Sequence, residues 1–326
     1  MKQLIILLFV CTILLIGCSK EKSIIPSIKL ENVYEIKDSE TDTIQQRVFK
    51  IYQKYKVPVY FNDTVGKVYV MDDAKGNPIY QYEKIDLSWT FSSYSKDVYQ
   101  FEFMSNDQDK TKALNIIEAY LEDVSPSLRP FSFFVTLSAQ RLSQGKVVEV
   151  IKNGQYKLGF RTVFLTGNWT ALQMSQQPDL MKRQIVSTKI LNYTNDVLDF
   201  SNISKSIWYG GLYWNAIEPS VVYGWKSAEA LYDDWTGAKW YTATQLDSMR
   251  VEARTIIGKF GFIKGNKSTK GLQTPKNATE ELEDYVQEIL KYSASDFKKL
   301  WGNHPLVMKK YAILTNVIEN KMQVKL

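Results

Sequence analysis

The residue types that most often carry enzymatic chemistry are scarce in this sequence. Its 326 residues include one histidine, His304, and two cysteines, Cys11 and Cys18. A zinc site built on histidine generally needs at least two imidazoles, and a cysteine-rich site needs several thiolates. Any Ser/His/Asp or Cys/His apparatus would have to use His304. The composition therefore argues against a metal centre and a catalytic triad, and no cofactor is expected.

The single histidine and the carboxylate pairs have simple structural interpretations. Between two predicted C-terminal helices, Asn303 or His304 is predicted to cap the last helix, with Pro305 at its first position. Adjacent carboxylates occur at Asp72-Asp73, Asp233-Asp234 and Glu280-Glu281. A glycosidase needs two carboxylates that face each other across a cleft, which adjacency along the chain does not provide. Solvated surface charge is the favoured interpretation of each pair.

The charge balance narrows the class of partners. The chain has 41 basic and 35 acidic residues, a net charge of +6, and this mild excess gives little support to nucleic-acid binding. With 44% hydrophobic and 23% charged residues, the composition is typical of a folded globular protein with a sizeable core.

The first residues predict the cellular compartment. Met1-Lys2 is followed by an apolar run over residues 4–17. At about 1.5 Å per residue, this run is too short to cross a bilayer core of roughly 30 Å, and it is typical of a secretory signal. Leu15-Ile16-Gly17-Cys18 also resembles the bacterial lipoprotein signal, in which cleavage leaves a lipid-bearing cysteine at the N-terminus. The alternative is a plain signal peptide with an incidental cysteine.

We predict that the protein is a lipoprotein. Residues 1–17 are then a signal peptide, and residues 18–40 are a lipidated flexible tether, because they are polar and lack periodicity. More than one acyl chain on Cys18 would hold the protein firmly on the outer membrane. Cys11 leaves with the signal, so the mature chain has no free thiol.

Hydrophobic periodicity predicts how the remaining chain is organised. Apolar residues at helical or alternating spacing, with turn residues between them, indicate the individual elements. Helices are predicted over 42–56, 107–123, 178–198, 244–259, 279–292, 295–301 and 305–321, and strands over 57–61, 67–71, 131–139, 146–151 and 156–165. Asn153-Gly154 predicts a hairpin between the last two strands. This order predicts one α+β domain over residues 41–326, with a modest mixed sheet and a helical C-terminal part.

Several segments together resemble a family of Bacteroidetes lipoproteins described as substrate-import-associated zinc metallohydrolases. Such proteins are encoded beside SusC/SusD-type outer-membrane importers. The resemblance is carried by Tyr55-Lys56-Val57-Pro58-Val59-Tyr60, by Asp179-Leu180-Met181-Lys182-Arg183-Gln184, by Gly261-Phe262-Ile263 and by Glu283-Asp284-Tyr285-Val286-Gln287. It implies a zincin-like, metallopeptidase-type fold.

The family's zinc motif is replaced in this chain. In a His-Glu-x-x-His helix, two histidines four residues apart hold the zinc ion, and the glutamate takes a proton from the zinc-bound water. The resemblance places Leu191 at the first histidine, Asn192 at the glutamate and Asn195 at the second histidine. Gln287 stands at the later acidic position, although Glu288 is adjacent. We therefore expect a pseudo-metallopeptidase with neither metal nor catalytic residues; the alternative is that 190–198 is an ordinary helix without such ancestry.

The segment 208–241 is unusually rich in aromatic residues. It holds five of the eight tryptophans of the chain, interrupted by glycines. Trp208, Trp214, Trp225 and Trp235 are candidates for a ligand-binding surface, because tryptophan offers a large rigid contact area with a polar edge. The alternative is that most of these rings fill the core beneath a long irregular connection.

These observations lead to one functional expectation. The protein is expected to be a non-catalytic, lipid-anchored accessory protein of a SusC/SusD-type importer, on the cell surface or on the periplasmic face of the outer membrane. It would capture a peptide or a glycan, or help to assemble the complex. The alternative is a hydrolase with an atypical active site.

Overall fold

The described part of the chain has a mixed α+β architecture. The computed structural model describes residues 35–87, 97–159, 161–211, 242–264, 266–268 and 271–326. The predicted signal peptide and most of the predicted tether lie outside these ranges. Helices and mixed sheets occur together within them, which confirms the α+β class predicted from the sequence.

Short strands dominate the N-terminal half and helices the C-terminal half. The strands are β1 (Val59–Tyr60), β2 (Thr64–Asp72), β3 (Pro78–Lys84), β4 (Val98–Glu102), β5 (Ser132–Thr136), β6 (Ser138–Ser143), β7 (Lys146–Ile151), β8 (Tyr156–Leu158), β9 (Thr162–Thr166), β10 (Asn266–Ser268) and β11 (Gly271–Gln273). The α-helices are α1 (Thr43–Tyr55), α2 (Asp107–Asp123), α3 (Ala171–Ile190), α4 (Thr194–Ser201), α5 (Ala243–Gly258), α6 (Ala278–Lys291), α7 (Ala294–Trp301) and α8 (Pro305–Asn316). A π-helical turn, Val317–Lys321, follows α8.

The first helix begins and ends as its sequence predicts. One carboxylate oxygen of Asp42 accepts hydrogen bonds from the amides of Ile44 and Gln45, at 2.9 and 3.0 Å, and so caps α1. The helix ends at Tyr55, and the following residue, Lys56, caps it with a left-handed φ of 60°. Its apolar face lies in the core, and the next helix, α2, packs beside it.

The central sheet has the strand order β1-β5-β9-β8. The strands β1, β5 and β9 are parallel, and β8 is an antiparallel edge strand. Every residue of β5 is buried, which explains its nearly continuous apolar sequence, since a parallel strand is covered on both faces. The register pairs Val59 with Phe133, and Phe133 with Val163.

Two of the predicted strands are each divided in the structure. The predicted strand 131–139 is broken at Leu137, which separates β5 from β6 in a different sheet. The predicted strand 156–165 consists of β8 and β9, which pair with each other. Asn153 and Gly154 do turn the chain, with φ of 60° and 78°, but they join strands of different sheets, so the predicted hairpin is wrong. Periodicity alone does not show where a continuous apolar run changes sheets.

The strands of the second layer are antiparallel. A three-stranded sheet has the order β4-β6-β7, and β2 pairs with β3 as a separate hairpin. Neither β3 nor β4 was predicted. A small core of Phe134, Ala139, Ile151 and Phe164 lies between this sheet and the central one.

The predicted helix over residues 178–198 is wrong at both ends. Thr170 and Gln173 form a capping box that starts α3 seven residues earlier, and Pro178 lies inside the helix. The helix stops at Ile190, and α4 begins at Thr194 after a short turn. Proline has no backbone N–H and is common at the first position of a helix. Pro178 therefore suggests a helix start in the sequence, although it lies inside α3.

The C-terminal helices agree with the predictions, because their amphipathic faces are clear. The principal core extends from α1 to Val324 and includes residues of α2, α3, α6, α7 and α8. None of the helices in the described ranges combines the length and the apolar composition of a membrane-spanning segment.

Candidate functional site

The four positions aligned with the zinc motif do not share one helical face. Leu191 and Asn192 lie in the turn after α3, and Asn195 lies in the first turn of α4. Leu191 is 39% exposed, and Asn192, Asn195 and Gln287 are exposed as well. Since a His-Glu-x-x-His site needs both ligand positions on one face of one helix, these positions do not reproduce its geometry. The described ranges contain no group of three or more His, Cys, Asp or Glu side chains that could hold a metal ion.

The predicted aromatic surface is described at one position. Trp208 is half-buried, and its ring packs edge-to-face on Phe260 with 5.0 Å between the centroids. Its carbonyl oxygen accepts a hydrogen bond from the Thr274 hydroxyl at 2.6 Å. Trp208 is therefore packed against the core. Trp214, Trp225 and Trp235 lie outside the described residues.

His304 occupies the N-cap position of α8, one of the two predicted alternatives, with Pro305 at the first helical position. Its side chain makes no capping hydrogen bond. The ring packs edge-to-face on Trp301 at 5.8 Å, and it lies so close to Gly258 that a Cβ there would fall 2.5 Å from it. Burial lowers the pKa of His304. These contacts assign the only histidine to packing between α5, α7 and α8.

The most unusual polar group in the described chain is a fully buried ion pair between Lys310 of α8 and Glu281 of α6. The ammonium of Lys310 also donates to the Ser204 hydroxyl at 2.7 Å. The second carboxylate oxygen of Glu281 accepts from the Tyr209 hydroxyl at 2.6 Å. Three ring centroids lie within 6 Å of the ammonium, those of Phe200, Phe262 and Tyr285 at 4.8, 5.4 and 5.8 Å. The interpretation of Glu280-Glu281 as a pair of surface charges is therefore wrong for Glu281.

Burial controls the electrostatics of this pair. It raises the pKa of Glu281 and lowers the pKa of Lys310, because each charged form loses its hydration, while their mutual attraction opposes both shifts. The Ser204 hydroxyl donates to the Phe260 carbonyl at 2.7 Å and accepts from Lys310. A serine–lysine catalytic dyad needs a lysine free to take the serine proton and a path to solvent. Since Lys310 is paired and inaccessible, the network is structural.

A second acidic group lies on the same helix. The Asp284 carboxylate is 14% exposed and lies 3.8 Å from the ammonium of Lys264. Burial raises the pKa of Asp284 to about 7, and the charge of Lys264 opposes that shift. Glu288, one turn later, also has a raised pKa through burial, opposed first by Lys291. One side of α6 therefore carries two carboxyl groups that resist ionisation.

An exposed apolar feature of the described chain is the hairpin of β2 and β3. Six large hydrophobic side chains are between 43% and 58% exposed, and together they are called the hairpin surface: Val68, Tyr69, Val70, Met71, Ile79 and Tyr82. Soluble proteins rarely expose many large apolar side chains close together without a function. It therefore qualifies as a candidate interaction site.

The register of the hairpin distributes these side chains over both of its faces. Tyr69 pairs with Tyr80, and Met71 pairs with Ile79 across a bulge. Tyr80 and Ile79 are consecutive in β3, so they point to opposite faces, and their partners do the same. One face is consequently tyrosine-rich, and the other is aliphatic. The turn is well defined, because a carboxylate oxygen of Asp73 accepts from the amides of Lys75 and Asn77, both at 2.8 Å.

A cavity adjoins the base of the hairpin. It has a volume of about 430 Å³ and lies between the start of β2, the end of β3 and the first residues of β5 and β9. Phe131 lines it and is 63% exposed, with the Arg161 guanidinium carbon 5.7 Å from the centroid of its ring. None of the residues of the hairpin surface lines this cavity, so the two are separate features of the same hairpin.

The fold and these features define a mixed α+β protein with a charged core network and an exposed apolar hairpin. No family model matches the sequence, and neither a curated protein nor a solved structure is detectably similar to it.

Proposed function

We propose that this protein is a lipid-anchored, non-catalytic accessory protein of a SusC/SusD-type importer in the outer membrane. In this proposal the hairpin surface docks the protein onto a neighbouring protein of the complex. The observation that carries it is the exposure of six large hydrophobic side chains on one hairpin. A two-stranded hairpin is marginally stable by itself, and burial of its faces against a partner would be favourable.

The anchor rests on the sequence of the first residues. Leu15-Ile16-Gly17-Cys18 and the polar segment behind it support lipidation of Cys18. We expect the Cys18→Ser variant to leave the membrane fraction, and the lipid to be detected by mass spectrometry of the N-terminal peptide of the parent protein. An unmodified Cys18 in membrane-bound protein would refute the anchor.

The non-catalytic role is supported by the residues at the aligned zinc positions. Leucine does not bind a metal, and asparagine does not act as a general base. A zincin-like ancestry is part of the proposal through the resemblance, but the turn between α3 and α4 counts against the alignment on which that ancestry depends.

The docking role is tested by a threonine triple variant, Val68→Thr/Met71→Thr/Ile79→Thr. Threonine is β-branched and favours strands, and it reduces the apolar surface of the aliphatic face. We expect this variant to lose co-purification with the SusC/SusD-type proteins while remaining folded and membrane-bound. The matched control is Ile207→Thr, because Ile207 is 81% exposed and distant in sequence from the hairpin. Unchanged co-purification of the triple variant would contradict docking through this surface.

A hydrolase with an atypical site is the second candidate function. It is favoured by the position of the Asp284 carboxylate, which is 14% exposed and lies 3.8 Å from the Lys264 ammonium. Burial raises its pKa to about 7, and a carboxyl group that titrates near neutrality suits general acid–base catalysis. Peptidase and glycosidase assays of the parent and of Asp284→Asn test it. Activity in the parent that is lost in the variant would replace the binding role with a catalytic one.

A further inference from the structure

We propose that a second cavity, to which five side-chain amides contribute, binds a short neutral saccharide. The cavity has a volume of about 570 Å³ and lies between the end of β7, the segment leading into β8 and the first turns of α3. Five amide side chains line it, those of Asn153, Gln155, Gln173, Gln176 and Gln177. The volume falls in the usual range of ligand pockets. The inference gives the accessory protein of the proposed function a ligand and rests on that function.

The lining has no excess of charge. Glu149 and Lys157 are its charged residues, and the Lys157 ammonium lies 3.2 Å from the Glu149 carboxylate. The guanidinium of Arg141 also pairs with Glu149 at 2.8 Å. Because these charges are compensated within the protein, the cavity favours neither an anion nor a cation. A neutral ligand follows from this arrangement.

Part of the amide capacity is left open by the protein. Both polar atoms of the Gln173 side chain are used, in the capping box and in a bond to the Asn153 carbonyl at 3.2 Å. By contrast, the side chains of Asn153 and Gln176 make no hydrogen bond among the described residues. Two amides therefore face the cavity region with free donors and acceptors.

Gln177 provides an independent indication of a ligand. It is 3% exposed, and its side-chain nitrogen has no acceptor among the described residues. A buried donor left unsatisfied costs about 1–3 kcal/mol, so such a group is generally retained for a reason. The terminal torsion of glutamine is soft, and its rotation lets the amide bond a ligand in the cavity. A ligand hydroxyl would supply the acceptor that the protein lacks.

Amide and hydroxyl groups match because both donate and accept hydrogen bonds. A saccharide also presents apolar C–H faces, and Leu180 and Tyr156 supply apolar surface to the same cavity. The Tyr156 hydroxyl donates to the Leu180 carbonyl at 2.9 Å, which fixes the ring in place. A ligand with many hydroxyls and no charge fits this wall better than a charged one.

An extended peptide is the competing ligand. In the described sheet β7 is an edge strand, and its residues Glu149 to Ile151 line the cavity, so a peptide could add to that edge. Such binding would rest on backbone hydrogen bonds and would not need the side-chain amides of α3. The two ligand classes therefore respond differently to substitutions on that helix.

The test measures binding to the full mature protein in detergent by isothermal titration calorimetry. The probes are maltotriose, mannotriose and triacetylchitotriose, with N-acetyl-trialanine-amide as the neutral peptide. We expect saturable binding of at least one saccharide. Gln176→Ala and Gln177→Leu should each weaken it about tenfold, the effect of losing one hydrogen bond of about 1.4 kcal/mol. Gln184→Ala, an exposed glutamine on the same helix, is the matched control and should bind as the parent does.

Gln177→Leu also distinguishes binding from folding. Because it removes an unsatisfied donor, its melting temperature should equal or exceed that of the parent. Absence of saccharide binding, binding unaffected by both variants, or binding of the peptide alone would overturn the inference. Docking of these same variants to the transporter proteins is measured in parallel. If docking persists without saccharide binding, the inference fails while the proposed function stands.

Discussion

The packing between α6 and α8 and the hairpin of β2 and β3 reverse the usual distribution of polar and apolar groups. Between the two helices a lysine and a glutamate are enclosed without contact with solvent. On the hairpin, six large hydrophobic side chains face solvent. Charged residues are normally outside and large apolar ones inside. The buried ion pair and the exposed apolar hairpin are both exceptions to this rule, and they lie in different parts of the chain.

The difference indicates what each region contributes. A buried ion pair rarely adds net stability over an apolar packing of the same volume, but loss of one partner is costly. The charge network thus fixes how α6, α8 and the segment with Ser204 and Tyr209 fit together. The hairpin contributes little to the core, so its side chains are available to a partner. The packing between α6 and α8 therefore provides rigidity, and the hairpin provides a surface for interaction.

The largest effect is expected from breaking the charged side of this comparison. Lys310→Met removes the cation and leaves the Glu281 carboxyl buried with Tyr209 as its remaining donor. We expect the free energy of unfolding to fall by about 3–5 kcal/mol, measured by urea denaturation. The double variant Lys310→Met/Glu281→Leu should recover much of this loss.

Lys309→Met serves as the control for this substitution. Lys309 is exposed next to Lys310 on the same helix, so its replacement should change stability by less than about 0.5 kcal/mol. A Lys310→Met variant as stable as this control would show that the pair does not hold the helices in place.

The next largest effect is on the pH dependence of the free energy of unfolding. It tests whether α6, which carries the buried Glu281, also tolerates an ionised Asp284. The pKa of Asp284 is about 7 in the folded protein and 3.8 in the unfolded reference. Between these values the folded state holds more protons, so stability falls as the pH rises. Over the full window the loss reaches about 4 kcal/mol, at about 1.4 kcal/mol for each pH unit.

Replacing Asp284 by asparagine should remove its share of this dependence, while Glu288, whose pKa burial also raises, keeps its own share. At pH 8 the Asp284→Asn variant is expected to be more stable than the parent, and near pH 4 the two should converge. Urea denaturation at both pH values measures the difference. Glu283→Gln, an exposed change on the same helix, should retain the slope of the parent. If the stability of the parent and of Asp284→Asn changed with pH in the same way, Asp284 would not be the source of the pH dependence.

The smallest effect on stability is expected at the hairpin surface. The Val68→Thr/Met71→Thr/Ile79→Thr variant alters exposed side chains outside the core, so its unfolding free energy should stay within about 0.5 kcal/mol of the parent. Only docking should change. A loss of several kcal/mol would mean that the hairpin contributes to the fold and would remove the contrast between the two regions.

Much of the fold could be predicted from hydrophobic spacing. The helices α1, α2, α6, α7 and α8 have one clear apolar face each, and polar caps such as Asp42 mark their ends. The strands were harder, because β5 and β6 form one apolar run that changes sheets at Leu137. The strand β3 escaped prediction since neither of its faces is buried. The first turns of α3 were not predicted, because Pro178 resembles the first residue of a helix.

Most of the candidate sites could not be predicted from the sequence. Glu281 lies in a run of acidic residues that suggests a solvated helix face, and its burial depends on a lysine that is distant along the chain. The strand over 67–71 was predicted, but the four consecutive apolar residues from Val68 to Met71 were not used to infer a strand with two apolar faces. The amide cavity joins a loop to α3, and no local pattern encodes that proximity.

The position of the hairpin along the chain has a mechanical consequence. From the anchor proposed at Cys18, the chain passes through α1 and β1 and enters the hairpin directly. A pull between membrane and partner would therefore be transmitted through this N-terminal stretch and through the pairing of Val59 and Tyr60 with Phe133 and Phe134. The helices α6 to α8 follow the hairpin in the chain, so a force between the anchor and the hairpin would not act on the packing of these helices.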